Sequence, residues 1–249
     1  MGLFGKKPLE LKKIYDECVS GQARLVVVFV HGIASDATAF GSAIRFLAGT
    51  TSLKDIRFVA YDLLGWGKSQ KSDTLKYNFT EQLTALHNSL EKLGLNGVPV
   101  VLVGHSMGTL IVARYADKYK KSVAELILLS PPIYREADLD APAMAAGVKI
   151  FTDAVALKNR KVLEDRAFSK SLDNIVLDRK NYQTIAGLKT PAVLIYGDAD
   201  QFIAPQNVRR VAKENPKYIT AVSTLGGHGI SREKYRKMVP ILEEILNKN

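Results

Sequence analysis

The stretch VPVVLVGHSMGTLIVARY, Val98 to Tyr115, joins two different periodicities. Val100 to Val103 is a continuous apolar run, as in a strand buried on both faces. After Ser106 the apolar residues Leu110, Val112, Ala113 and Ala116 continue at helical spacing. Between the two halves lies Gly104-His105-Ser106-Met107-Gly108. A serine at a strand-to-helix junction, with glycines two residues to either side, fits a sharp and strained turn. The glycines let neighbouring backbones approach without a Cβ clash. The hydroxyl then stands clear of the sheet's carboxyl edge, over the positive N-terminus of the helix that follows. A chance Gly-Ser-Gly turn is the alternative, and the strand and helix on either side weigh against it.

Other apolar segments repeat the pattern. Leu25–Val30, Ile56–Tyr61, Val98–Val103, Leu126–Leu129 and Ala192–Tyr196 read as buried strands, and Tyr218–Leu225 as a weaker sixth. Helical patterns separate them. Asn78 to Glu81 has capping-box spacing before Leu83, Leu86, Leu90 and Leu93, and Gly94 is a natural stop. Val208–Lys213 and Ser231–Asn247 also read as helices, with a kink or restart expected at Pro240. Alternation of this kind predicts an α/β fold: a mostly parallel sheet of about six strands with helices on both faces. Residues 132–187 break the rhythm with helical patterns alone. They read as a helical cap inserted into a core formed by 1–131 and 188–249. Leu9 to Val19 reads as a helix.

The 249 residues suit one large domain, alone or with an insertion, and 47% hydrophobic with 24% charged residues is ordinary for a globular chain. A single cysteine, Cys18, forbids an intrachain disulfide and fits a reducing, cytoplasmic setting. No apolar run is long enough to span a bilayer, and the first residues lack the apolar core of a signal peptide. The net charge of +10 is spread along the chain. Its densest patch, Arg232 to Lys237, reads as a solvated basic face of the last helix, and no nucleic-acid motif accompanies it. Gly67-Lys68-Ser69 resembles the end of a phosphate-binding loop, but Asp62 stands where that motif needs its first glycine. No Cys/His cluster has metal-ligand spacing, so neither a metal nor another cofactor is expected.

A serine hydroxyl needs a base. Of four histidines, His228 in Gly226-Gly-His-Gly229, after the last strand, is the best placed. His105 adjoins the serine but belongs to the opposite face of a strand end. His87 belongs to an amphipathic helix, and His31 follows the first strand. The base needs an acid to fix its tautomer. Gly197-Asp198-Ala199-Asp200 follows the strand ending at Tyr196. Asp200 is preferred there, with Asp198 the competing carboxylate. The order Ser106, Asp200, His228 is the one this nucleophile turn uses. Backbone N–H groups of Met107 and of Ile33, in the loop after the first strand, are candidate oxyanion donors.

Taken together, His31-Gly32, Asp62-Leu-Leu-Gly-Trp-Gly-Lys-Ser69, Gly104-His-Ser-Met-Gly108, Gly197-Asp-Ala-Asp200 with Pro205, and Gly226-Gly-His-Gly229 resemble the α/β-hydrolase superfamily, in its small, helical-cap, esterase- and lipase-like form. The motifs span residues 25 to 245 in the family's order. The resemblance implies a serine hydrolase acting on a carboxylic ester, and a structural turn near the pocket for Asp62 to Ser69. Thioester, amide, lactone or C–C hydrolysis and a cofactor-free perhydrolase share the same three residues. A ligand-binding protein without turnover is the reading from another class. A small or medium apolar acyl substrate is expected, with Phe40, Trp66, Phe151 and Phe202 as candidate substrate-binding residues. Met144, Val148 and Val155 share the helical face of Phe151. The family usually begins with an antiparallel hairpin, and the helical reading of Leu9 to Val19 departs from that. The sequence leaves the natural substrate and the oligomeric state open.

Overall fold

A computed structural model describes residues 8–95, 97–119, 123–158 and 165–248, with the side chains of 154–158 and 165 left aside. The Val155 side chain and the first seven residues fall outside those descriptions. Seven strands form one sheet: β1 (Lys12–Cys18), β2 (Leu25–Val30), β3 (Ile56–Asp62), β4 (Val100–His105), β5 (Glu125–Leu129), β6 (Ala192–Gly197) and β7 (Ile219–Thr224). Their order across the sheet is β1-β3-β2-β4-β5-β6-β7. All neighbours are parallel except β1, which runs antiparallel to β3.

The central strands are apolar on both faces because helices cover both. On one side α1 (Gly41–Ala48) and α9 (Arg232–Lys248) pack Ile44, Leu47, Met238, Leu242 and Ile245 against Val27, Phe29, Val101 and Ile127. On the other, α2 (Phe79–Glu91), α3 (Met107–Lys118) and α8 (Pro205–Glu214) bring Leu83, Leu86, Leu110, Val208 and Val211 against Val26, Val28, Leu102 and Leu128. The Asn78 side chain accepts from the Glu81 N–H at 3.1 Å and caps α2. The Glu81 carboxylate turns back to the amides of Tyr77 and Lys76 at 2.7 and 2.8 Å. One orphan donor of the first turn is met in this way, and the chain entering the helix is fixed by the other two bonds.

Between β5 and β6 the described residues form helices only: α4 (Glu136–Leu139), α5 (Pro142–Lys158), α6 (Asp165–Ser171), a π turn at Leu172–Val176 and α7 (Asn181–Ala186). Phe168, Leu172, Ile175 and Ile185 merge with the core beneath.

Two expectations need correction. Leu9 to Val19 is not helical: Lys12–Cys18 is the edge strand β1, so the sheet has seven strands rather than six. A register shift between Lys13 and Tyr15 sets Ile14 and Tyr15, adjacent in sequence, against the same apolar cluster. That bulge removes the alternation by which a strand is recognised, while the charged residues along it suit an exposed edge. The last helix also does not restart at Pro240: Arg232–Lys248 is one helix, with Pro240 on its exposed side.

Candidate active site

In this sheet the chain leaves β2 in one direction for β3 and returns on the other side for β4. Ligands of open α/β sheets bind at such a reversal, outside the carboxyl ends of the strands. Ser106 follows β4 there. Its backbone is strained, with φ at 51° and ψ at −122°. The glycines around it are sterically required. A Cβ on Gly108 would lie 2.1 Å from the Val30 carbonyl oxygen, and one on Gly104 2.5 Å from the Thr109 nitrogen. Gly108→Ala is therefore expected to lower the melting temperature sharply or prevent folding, since the obstruction is backbone and cannot swing away. Gly147→Ala, on α5, meets open space. It is expected to stay within about 1 kcal/mol of the parent. Thermal unfolding of the pair checks both.

His228 lies in the loop between β7 and α9. Its Nδ1 donates to both Asp200 oxygens, at 2.9 and 3.0 Å. The Asp200 side chain is fully buried, with the Phe202 N–H also donating to it at 2.9 Å. Burial pushes the Asp200 carboxyl up, but the His228 hydrogen bond and charge, with help from Phe202 and Ser130, hold it below the usual range. Asp198 is exposed and lies 3.7 Å from Arg209. The structure thus pairs His228 with Asp200.

Ser106 and His228 line one cavity of about 500 Å³. That volume suits a small-molecule ligand. Among the described residues no hydrogen bond joins Ser106 Oγ to His228; such bonds often tighten only with substrate bound. Ile33 lines the same wall, and Met107 opens α3, where the first N–H groups have no partner within the helix. The opposite wall is apolar: Met144, Val148 and Phe151 from α5, Leu172 and Val176 from the π turn, and Phe202. The Phe202 ring stands edge-on to Phe151 at 5.3 Å and to His228 at 5.4 Å.

Phe40 and Trp66 are not brought to this cavity. Phe40 is fully buried against Phe29, with ring centroids 4.9 Å apart, and Trp66 lies in the core on the other face. The Asp62 carboxylate holds its own turn instead, accepting the Ala37 and Lys68 amides at 2.8 and 2.7 Å. Among the described residues no group of His, Cys, Asp and Glu is placed to hold a metal ion.

Some contributors were not singled out from sequence. His31 is fully buried; its Nε2 accepts the Leu63 N–H at 2.9 Å and its Nδ1 donates to Gly32 O at 2.8 Å, which fixes the loop carrying Ile33. Burial lowers its pKa. His105, expected on the opposite face, packs beneath His228, its Nε2 donating to the His228 carbonyl at 2.8 Å. Burial and the neighbouring His228 drive His105 down to about 3. Lys234, inside the patch read as solvated, is only 1% exposed.

A mostly parallel sheet with a serine on the turn after β4, and an Asp–His pair at the same edge, defines an α/β-hydrolase. The chain belongs to the family described as serine aminopeptidase, S33, whose model matches residues 21–182, and it is a serine hydrolase. It is similar to Lipase 1 of Psychrobacter immobilis, 26% identical over 238 residues, 83% of this chain and 71% of that one. It also resembles a probable lysophospholipase, BODYGUARD 5, of Arabidopsis thaliana, 32% identical over 136 residues, 54% of this chain and 30% of the relative. The crystal structure of a monoacylglycerol lipase from Paleococcus ferrophilus superposes with a TM-score of 0.70 and 23% identity, covering 95% of this chain and 99% of that one. No described helix is long and apolar enough to cross a membrane.

Proposed function

We propose that the chain is a carboxylesterase that cleaves esters of small or medium apolar acyl groups through an acyl-enzyme on Ser106. One observation carries this reading. His228, held through Nδ1 by both Asp200 oxygens, shares an apolar cavity with a serine on a strained strand-to-helix turn. With Nδ1 engaged, His228 Nε2 is the nitrogen that takes the Ser106 proton as Oγ bonds to the ester carbonyl carbon. The carbonyl oxygen becomes an oxyanion, met by the Ile33 and Met107 N–H groups. Collapse breaks the bond to the alcohol, which leaves with the proton from His228. Water then attacks the acyl-enzyme with His228 again as base, and the acid is released. Asp200 holds the tautomer and stabilises the imidazolium. The described helices between β5 and β6 form the cap, with α5 and the π turn as the acyl wall. The lipase names of the relatives support an ester, the single Cys18 fits a cytoplasmic setting, and no metal or other cofactor enters the steps.

The test is fluorophosphonate labelling together with turnover of p-nitrophenyl esters of increasing chain length. Labelling with turnover supports the esterase. Labelling without ester turnover points to a thioester, amide, lactone or C–C substrate. A folded protein that resists the probe overturns an activated Ser106 and leaves a ligand-binding role.

The same assay sizes the acyl wall. Phe151→Ala with Phe202→Ala is expected to lower kcat/KM for a medium-chain ester about tenfold or more, each buried methylene being worth roughly 0.8 kcal/mol. The acetate ester, too short to reach both rings, is expected to change little. An equal loss on both esters would remove the two rings from the acyl site.

A further inference from the structure

We infer that Lys234 is a positioning residue for His228. Its buried ammonium clamps the loop carbonyls on either side of the imidazole and ties them, through Ser130, to the end of β5. The inference rests on the esterase reading above.

Lys234 Nζ donates to the carbonyl oxygens of Gly227 at 2.6 Å and Gly229 at 3.0 Å, and to Ser130 Oγ at 2.7 Å. An ammonium has three donors, and all three are used. Gly227 and Gly229 bracket His228, so two of the bonds hold the backbone that aims the ring. The third ends on a hydroxyl at the carboxyl end of β5. Ser130 closes β5 with φ at 50°, another strained residue beside the site. His105 Nε2 meets the His228 carbonyl from below. The loop is otherwise built of glycines, which impose little conformation of their own.

The position is an expensive one for a cation. Lys234 is in the first turn of α9, where the helix dipole disfavours positive charge, and it is buried away from water. An apolar residue of the same length would avoid both costs but would leave the buried Ser130 hydroxyl without this donor, so positioning has to be read separately from stability. The titratable groups that face His228 are Asp200 from the β6–α8 loop and His105 from β4, with Lys234 of α9 on the carbonyls at either side. Burial keeps the Lys234 pKa below normal while Asp200 opposes that shift.

Lys234→Met is expected to lower kcat for a p-nitrophenyl ester by about 10- to 100-fold, the scale of a slightly misplaced catalytic group. KM is expected to stay unchanged, and the melting temperature within about 4 °C of wild type. Ethylammonium added to Lys234→Ala should restore part of kcat, and tetramethylammonium, without N–H donors, should not. Lys237→Met, on the exposed face of the same helix, is expected to change nothing. If Lys234→Met fails to fold, Lys234→Gln carries the same readouts. An unaltered kcat would overturn the clamp, as would a loss that follows melting temperature and resists ethylammonium. Wild type without turnover or labelling overturns the esterase reading as well. An active wild type beside an equally active Lys234→Met overturns the clamp alone.

Discussion

Ser106→Ala is expected to abolish fluorophosphonate labelling and to lower kcat for p-nitrophenyl esters by at least about 10³-fold, with the fold intact. The expectation follows from what the turn does. Ser106 is the residue at φ 51°, and the strain is imposed by backbone packed against backbone: Gly108 against Val30 and His31, Gly104 against Thr109 and Gly108. None of those contacts involves the Ser106 side chain, so alanine leaves the turn in place. The loss is then of the nucleophile alone. Any residual rate measures what the cavity and its N–H groups supply without a covalent intermediate. Circular dichroism and melting temperature establish that the variant is folded. Persistent labelling of folded Ser106→Ala would move the nucleophile elsewhere.

Much of this site was legible because its chemistry is local in the chain. The glycine spacing around Ser106, the paired carboxylates after β6 and the glycine-flanked His228 each occupy a few consecutive residues. The central strands were legible for a related reason: burial on both faces leaves a run with no polar interruption. What escaped was set by distance or by direction. The β1 edge strand carries lysines and acids, and its bulge at Ile14 breaks the period of two. Trp66 lies on a loop, as Phe202 does, and Phe40 ends a short 3-10 helix, and nothing in such short stretches says whether a ring turns into the core or toward a cavity. Lys234 is hidden by its neighbours, because Arg232, Arg236 and Lys237 are exposed or nearly so and make the stretch read as a solvated face. Its partner Ser130 is 104 residues away, and no periodicity links the two.

Asp200→Asn is expected to lower kcat by about 10⁴-fold, and Asp198→Asn by less than about threefold. The two carboxylates are two residues apart and chemically alike, so the contrast tests placement rather than composition. Asp200 has a fully buried side chain and both oxygens on His228 Nδ1, whereas Asp198 is half exposed and reaches only Arg209 at 3.7 Å. An asparagine at 200 keeps the shape of the carboxylate but offers an amide donor toward Nδ1. The imidazole then carries its proton on Nε2, the nitrogen that must accept one from Ser106, and the base is lost while the geometry survives. Nor is there a charge to balance the imidazolium once it forms. The depressed Asp200 carboxyl adds a stability test with a definite sign. A group held below its unfolded pKa stabilises the native state fully above that unfolded value, and the contribution fades as pH falls through the folded pKa. Asp200→Asn should therefore be relatively less stable than wild type at neutral pH, with the gap narrowing in acid below the ordinary carboxylate range. Equal activity losses for Asn at 198 and 200 would leave the acid of the site unassigned. A large loss at 198 alone would transfer the role to Asp198.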